Sequence, residues 1–311
     1  MIKIFDCSNS PERPEHRHNS GGPKENDIIL DLKKYSSQYD CEFVNDYKNC
    51  DVILTNDIFP KELQNIKIPK IKRMDGVYWD FNRERNEKLN LAATQADHVI
   101  FISKFSQNSL KTLYPEIKIQ NESVILNRCD NKIFIKKNMT YDLSFAASCT
   151  NWSRHEKRFE TLIRLSKMIP EKIYLIGECD FDVPNDVEKL GYFSDYNELS
   201  TALNKASAYI NVSYRDAAPK CVCQALSCGL PVLYTDSGGV KELVRLNGVG
   251  IRDENKIYFD EKSHYIKDED LLIAYKEFKN NFIKLRTQTI NTTYNYQKTL
   301  KQYFNIIKQY A

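Results

Sequence analysis

The sequence predicts an α/β protein with parallel sheets, divided into two domains. Three observations carry that expectation. Short apolar runs alternate with helical stretches from end to end. A polar stretch near the middle, Asn127–Asn138, separates two such series. The 311 residues are also enough for two cores of ordinary size.

In the first series, Ile2–Phe5, Val52–Thr55, Ile71–Met74, His98–Ile102 and Ser123–Leu126 read as strands, because each is a short apolar run bounded by polar residues. Lys24–Gln38, Glu84–Gln95 and Lys104–Tyr114 read as the helices between them. The chain then turns polar, and the domain boundary is expected near residue 137. Leu143–Ala147 opens the second series, which Lys172–Ile176, Ala208–Val212 and Pro231–Tyr234 continue. From Leu271 to Ala311, apolar and aromatic residues recur at helical spacing. No internal repeat or low-complexity run interrupts the pattern.

Composition narrows the function class. Apolar residues at 41% and charged residues at 28% describe a globular chain. A net charge of +3 provides no field suited to nucleic acid. No run of 18 or more apolar residues occurs, and the start goes from a short strand to a polar loop, so a cytoplasmic protein without signal peptide or membrane span is expected. Nine cysteines without framework spacing read as reduced thiols. Cys221, Cys223 and Cys228 cluster in sequence, but without a nearby His or a Cys-x2-Cys pair they read as small buried residues, and no metal or other cofactor is expected. Between Lys276 and Lys308, seven Lys or Arg stand against one Glu. That is either a solvated helix face or a peripheral membrane contact.

The most informative stretch is Asn211–Val244, NVSYRDAAPKCVCQALSCGLPVLYTDSGGVKELV. It reads strand, loop, helix, strand, Gly-Gly turn, helix, with polar residues gathered at the loop-to-helix junctions. Helix N-termini carry unpaired N–H groups and a positive dipole end, which suits phosphates. Gly238 and Gly239 allow close backbone approach, so their N–H groups, with those of Val240 and Lys241, are candidates to hold phosphate or sugar. A simple tight turn is the alternative. Asp216 lies seven intervening residues before Gln224. It fits either a ligand contact or an N-cap of the next helix.

These residues resemble glycosyltransferase family 4, the retaining nucleotide-sugar glycosyltransferases of GT-B fold. The signature appears as Asp216-x7-Gln224-Ala225-Leu226-Ser227-Cys228-Gly229-Leu230-Pro231-Val232, followed by Ser237-Gly238-Gly239-Val240-Lys241-Glu242-Leu243-Val244. One departure stands out: Gln224 occupies the position of the second Glu. Upstream, Arg154-His-Glu-Lys157-Arg158-Phe159 is similar to the family's Arg…Glu-Lys-Gly segment, which clamps the diphosphate. Lys157 aligns directly. The family Arg would fall near Trp152, so Arg154 is its displaced substitute, and Arg158, in place of Gly, is another candidate cation. A basic helix start facing solvent is the alternative for this run. The resemblance also covers Gly21-Gly22 as a phosphate-closing loop and Gly177, Gly191 and Tyr192 beside the nucleobase. It extends to Arg73-Met74-Asp75-Gly76-Val77-Tyr78, Ala96–Ser106 and Asn127–Phe134.

The resemblance implies two Rossmann-like domains facing across a cleft: residues 1–137 on the acceptor side, 138–290 for the donor, and a terminal helix, 291–311, packing back on the first domain. It implies retaining, metal-independent transfer of a sugar from a nucleotide diphosphate sugar to a glycan or lipid-linked acceptor. Asp216, Lys157 and Asp75 are the expected catalytic residues. Donor contacts are expected from Gly21, Gly22, Arg154, Lys157, Gly191, Tyr192, Asp216, Gln224, Gly238, Gly239 and Val240. Asp75 also fits a plain Asp-Gly turn. The alternative function is a catalytically silent GT-B domain that binds a nucleotide or glycan, or scaffolds a partner.

Overall fold

The computed structural model describes residues 1–8, 28–77, 83–136, 142–253, 256–258 and 264–311. The first half comprises β1 (Ile2–Asp6), α1 (Ile28–Tyr35), β2 (Cys41–Val44), β3 (Val52–Thr55), α2 (Lys61–Gln64), β4 (Lys70–Met74), α3 (Arg83–Thr94), β5 (His98–Phe101), α4 (Lys104–Leu113) and β6 (Glu122–Val124). Its strands form a six-stranded sheet in the order β2-β1-β3-β4-β5-β6, parallel throughout. Every residue of β3, β4 and β5 is buried, as expected where helices cover both faces of a parallel sheet.

The second half follows the same plan. It contains β7 (Phe145–Asn151), α5 (Phe159–Met168), β8 (Ile173–Glu178), β9 (Val187–Gly191), α6 (Tyr196–Leu203), β10 (Ala208–Asn211), α7 (Lys220–Ser227), β11 (Val232–Thr235), α8 (Val240–Val244) and β12 (Gly248–Ile251). The sheet order is β12-β11-β10-β7-β8-β9, again parallel. The chain leaves β7 toward β8 and β9, then returns to the other side for β10. The gap outside the C-terminal ends of β7 and β10 is therefore a topological switch point, where open α/β sheets take ligands.

Two long helices close the chain, α9 (Asp268–Asn291) and α10 (Tyr296–Tyr310). Phe278, Phe282 and Leu285 of α9 pack with Phe145 and Leu165 of the second half. By contrast, Tyr296, Leu300, Tyr303, Phe304 and Ile307 of α10 join Ile4, Leu32 and Ile100 of the first. The last helix thus returns to the first sheet, and nearly all its apolar face is used there.

The strand ends of the two halves meet. A Cβ on Gly76, just past β4, would lie 3.5 Å from that of Ala217, in the loop after β10. Asn127, past β6, donates to the Ala218 carbonyl at 2.8 Å. The amides of Lys104 and Phe105, past β5, donate at 2.7 Å each to the Glu242 carboxylate on α8. Both sheets therefore direct their C-terminal edges at a common space.

Candidate functional site

Two loops from either side of the second switch point converge. After β7, Trp152 turns inward: it is 4% exposed, and its indole donates to the Ile176 carbonyl at 3.0 Å. Arg154 then starts a short 3₁₀ turn, His155–Lys157. After β10 a loop runs to Pro219, the residue that caps α7. Asp216 sits in that loop, so it is not the N-cap of α7.

Lys157 and Asp216 form an ion pair at 2.9 Å, with side chains only 13% and 24% exposed. Burial is the largest influence and would lower the Lys157 ammonium, but the charge of Asp216, the neighbouring Cys221 and the Asp216 hydrogen bond together reverse it, and the pKa rises to about 12. Cys149 and Cys221 border the pair, and burial pushes both thiols up, which keeps them neutral.

The Gly-Gly turn supports this arrangement from below. Gly238 adopts φ +88°, and a Cβ there would come within 2.4 Å of the Asp216 carbonyl. A Cβ on Gly239 would lie 1.8 Å from the Ala217 carbonyl and 2.9 Å from Ser103 Oγ of the other half. The Gly239 N–H donates to the Asp216 carbonyl at 2.9 Å, and Ser237 Oγ accepts from the Arg215 N–H at 2.8 Å. The expected ligand donor on Gly239 is therefore spent on fixing the Asp216 loop: close approach is realised, but toward protein backbone. Val240, expected to contribute through its backbone, has a fully buried side chain in the core under this turn.

Other expected residues divide by environment. Arg154 is half-exposed and pairs with Glu156. Arg158 is not a donor cation. Its side chain is 2% exposed and makes a two-pronged contact with Asp253 at 2.6 and 3.2 Å. It also occupies the left-handed region at φ +52°, where the resembling family carries Gly. That conformation costs a non-glycine residue about 1–2 kcal/mol. Gln224 lies one turn into α7 and is 7% exposed. Gly191, at φ +82° with open space around its Cβ direction, ends β9, and Tyr192 beside it is 43% exposed. Gly21 and Gly22 lie outside the described residues.

On the opposite wall, Asp75 follows β4, with its side chain 64% exposed and paired to the buried Arg73. Arg73 also reaches Asn127 Oδ1 at 3.1 Å and the Tyr303 hydroxyl at 3.2 Å. Since Asn127 holds the Ala218 carbonyl, one polar chain links Asp75 to the Asp216 loop. Glu242 on α8 caps α4 across the gap. The clustered cysteines also separate. Cys223 donates to the Asn127 carbonyl at 3.3 Å, while Cys228 is fully buried beside Ser200.

Comparison with known proteins agrees with this layout. Residues 155–264 match the family described as glycosyl transferases group 1. The chain is 31% identical over 94 residues to WcaC of Escherichia coli (strain K12), a protein named for glycosyl transfer in colanic acid biosynthesis. That match spans 30% of the chain and 23% of WcaC. Among solved structures, sucrose-phosphate synthase from Thermosynechococcus elongatus superposes with a TM-score of 0.72 at 13% identity, covering 99% of both chains. Anabaena Alr3699/HepE, solved with UDP and with UDP-glucose, gives TM-scores of 0.68 and 0.67 at 15% identity, covering 99% of this chain and 100% of that one. Residues 155–264 are therefore similar to the glycosyl transferases group 1 family, and they form one wall of a two-sheet GT-B fold.

Proposed function

We propose that this protein is a retaining, metal-independent glycosyltransferase of family 4, moving a sugar from a nucleoside diphosphate sugar to a glycan or lipid-linked acceptor. The Lys157–Asp216 pair carries the reading, because it sits at the switch point between β7 and β10. A departing diphosphate gathers negative charge, and a largely buried ammonium is well placed to neutralise it. Lys157 is protonated throughout the physiological range. Donor arrival lets it exchange carboxylate for phosphate, which frees Asp216 to accept hydrogen bonds from sugar hydroxyls and to support positive charge at the anomeric carbon. Gln224 faces the ribose, with one acceptor and one donor in place of two acceptors. The leaving phosphate takes the acceptor proton on the same face, so the configuration is retained. Asp75, on the opposite wall, orients the acceptor.

HepE shares the fold and was solved with UDP-glucose, so uridine donors are the first to try. Among the described residues no helix is long and apolar enough to cross a membrane. With the apolar face of α10 largely buried, contact with anionic lipid would rest on the exposed Lys298, Lys301 and Lys308.

Calorimetric titration with UDP and UDP-glucose, followed by NMR of the product anomer, tests the proposal. Wild-type protein is expected to bind UDP and give an α-product from an α-donor, with turnover lost in Lys157→Ala and Asp216→Ala. An inverted product, or no binding of UDP-, GDP-, ADP- or dTDP-sugars, refutes it.

A further inference from the structure

We propose that Arg158, Tyr214 and Arg215 are positioning residues whose stack sets Lys157 against Asp216. Arg158 directly follows Lys157, and Arg215 directly precedes Asp216. Both arginines are buried, and both hold the left-handed conformation, at φ +52° and +51°. Each guanidinium carbon lies 4.6 Å from the centre of the same ring, that of Tyr214. The Tyr214 amide in turn donates to the Glu156 carbonyl at 2.8 Å, tying the loop after β10 to the turn that ends at Lys157.

Both cations also bind one further segment, the chain after β12. Arg158 pairs with Asp253, whereas Arg215 donates to the carbonyls of Tyr258 and Lys256 at 2.6 and 2.7 Å and lies 4.5 Å from the centre of the Tyr258 ring. A planar, delocalised guanidinium can lie flat on an aromatic face and still present its N–H fork to a second partner, whereas an ammonium meets the ring as a point charge. The consequence is local. Lys157 is a flexible side chain, and it meets Asp216 in one geometry only if the backbone on both sides of the pair is held. The stack grips the residue next to each partner.

The importance of the pair for a diphosphate rests on the proposed donor site, but the positioning can be read without any ligand. Reductive methylation with formaldehyde and cyanoborohydride, quantified by peptide mass spectrometry, measures how well Lys157 is held. Lys241, 66% exposed, serves as the open reference, and the fully buried Lys72 reports general loosening. Tyr214→Leu is expected to speed Lys157 labelling by about fivefold or more while Lys72 stays protected, as in a local opening. Tyr214→Phe, which keeps the ring, should label like wild type. Arg215→Lys keeps the charge but loses the fork, and should fall between them; it is the second variant if Tyr214→Leu does not fold.

UDP titration adds a site readout. Tyr214→Leu should weaken UDP binding about tenfold in the wild-type background and less than about twofold when Lys157 is already Ala, because coupled residues are non-additive. Unchanged Lys157 labelling in folded Tyr214→Leu or Arg215→Lys overturns the proposal, as does an equal rise at Lys72 or an additive loss of UDP affinity. A labelling change in a protein that ignores UDP counts against the donor reading alone and supports the positioning.

Discussion

Replacing Arg158 with Gly should do less harm than replacing it with Ala, although Gly removes more of the side chain. Either change deletes the guanidinium that pairs with the Asp253 carboxylate, whose side chain is 2% exposed. Breaking a buried pair in this way costs about 3–5 kcal/mol. The two variants then part over the backbone. At φ +52° Ala keeps the left-handed strain that Arg already bears, whereas Gly relieves about 1 kcal/mol of it. Arg158→Ala is therefore expected to lose about 3–5 kcal/mol and Arg158→Gly about 2–4 kcal/mol. Removing Asp253 as well eliminates the buried charge that faced Arg158, so Arg158→Gly with Asp253→Ala should show a coupling energy of about 2–3 kcal/mol. Urea unfolding followed by the fluorescence of Trp152, buried in the same core, reads these differences once Trp79 is changed to Phe. Arg158→Gly no more stable than Arg158→Ala would refute the strain argument. A coupling energy below about 0.5 kcal/mol would refute the buried-pair argument.

Three further outcomes are expected. Lys157 is held up at about 12 in the folded protein, against an ordinary lysine value near 10.5. The stability it contributes is therefore full below about pH 10.5 and lost as the pH rises through about 12. An alkaline unfolding series should show that loss in wild type and not in Asp216→Asn. Glu242→Gln keeps one acceptor for the α4 amides but surrenders charge, so about 1–2 kcal/mol of local protection should vanish. Hydrogen exchange at Lys104 and Phe105 checks this, and unchanged exchange there would show that Glu242 does not hold the two halves together. Gly239→Ala forces a Cβ against the Ala217 carbonyl and should cost about 1–3 kcal/mol in urea unfolding, whereas Gly250→Ala, with its nearest neighbour 3.5 Å away, should stay within about 0.5 kcal/mol in the same measurement.

The parallel sheets were legible because strands buried on both faces read as short, nearly continuous apolar runs rather than as alternation, as in VILT and HVIF. Three strands did not show that signature, each for a physical reason. β9, VEKLG, is an edge strand with exposed charges, β12 is half glycine, and β2 is an edge of the first sheet, buried fully only at Cys41. Strand order was not readable at all, since it depends on crossovers rather than on local pattern. The switch point between β7 and β10, which explains why Lys157 and Asp216 meet across 59 positions of chain, became visible only with the sheet assembled.

Residues that support the site were harder to read than those expected to touch a ligand, and Arg158 shows why. Its charge suggested a phosphate contact, because charge is the property a sequence displays. Its backbone angle is what the position demands, and glycine in the resembling family is the trace of that demand. A bulky cation can replace glycine at φ +52° only if other contacts offset the strain, and buried contacts are the strongest available. The substitution thus pointed inward, to a partner such as Asp253, rather than outward to a ligand. The same logic applies to Gly239, whose N–H was expected to bind phosphate but holds the Asp216 carbonyl. Where a short side chain or a missing one permits close approach, the chain's own backbone is as eligible a partner as any ligand. Only the assembled loops decide between them.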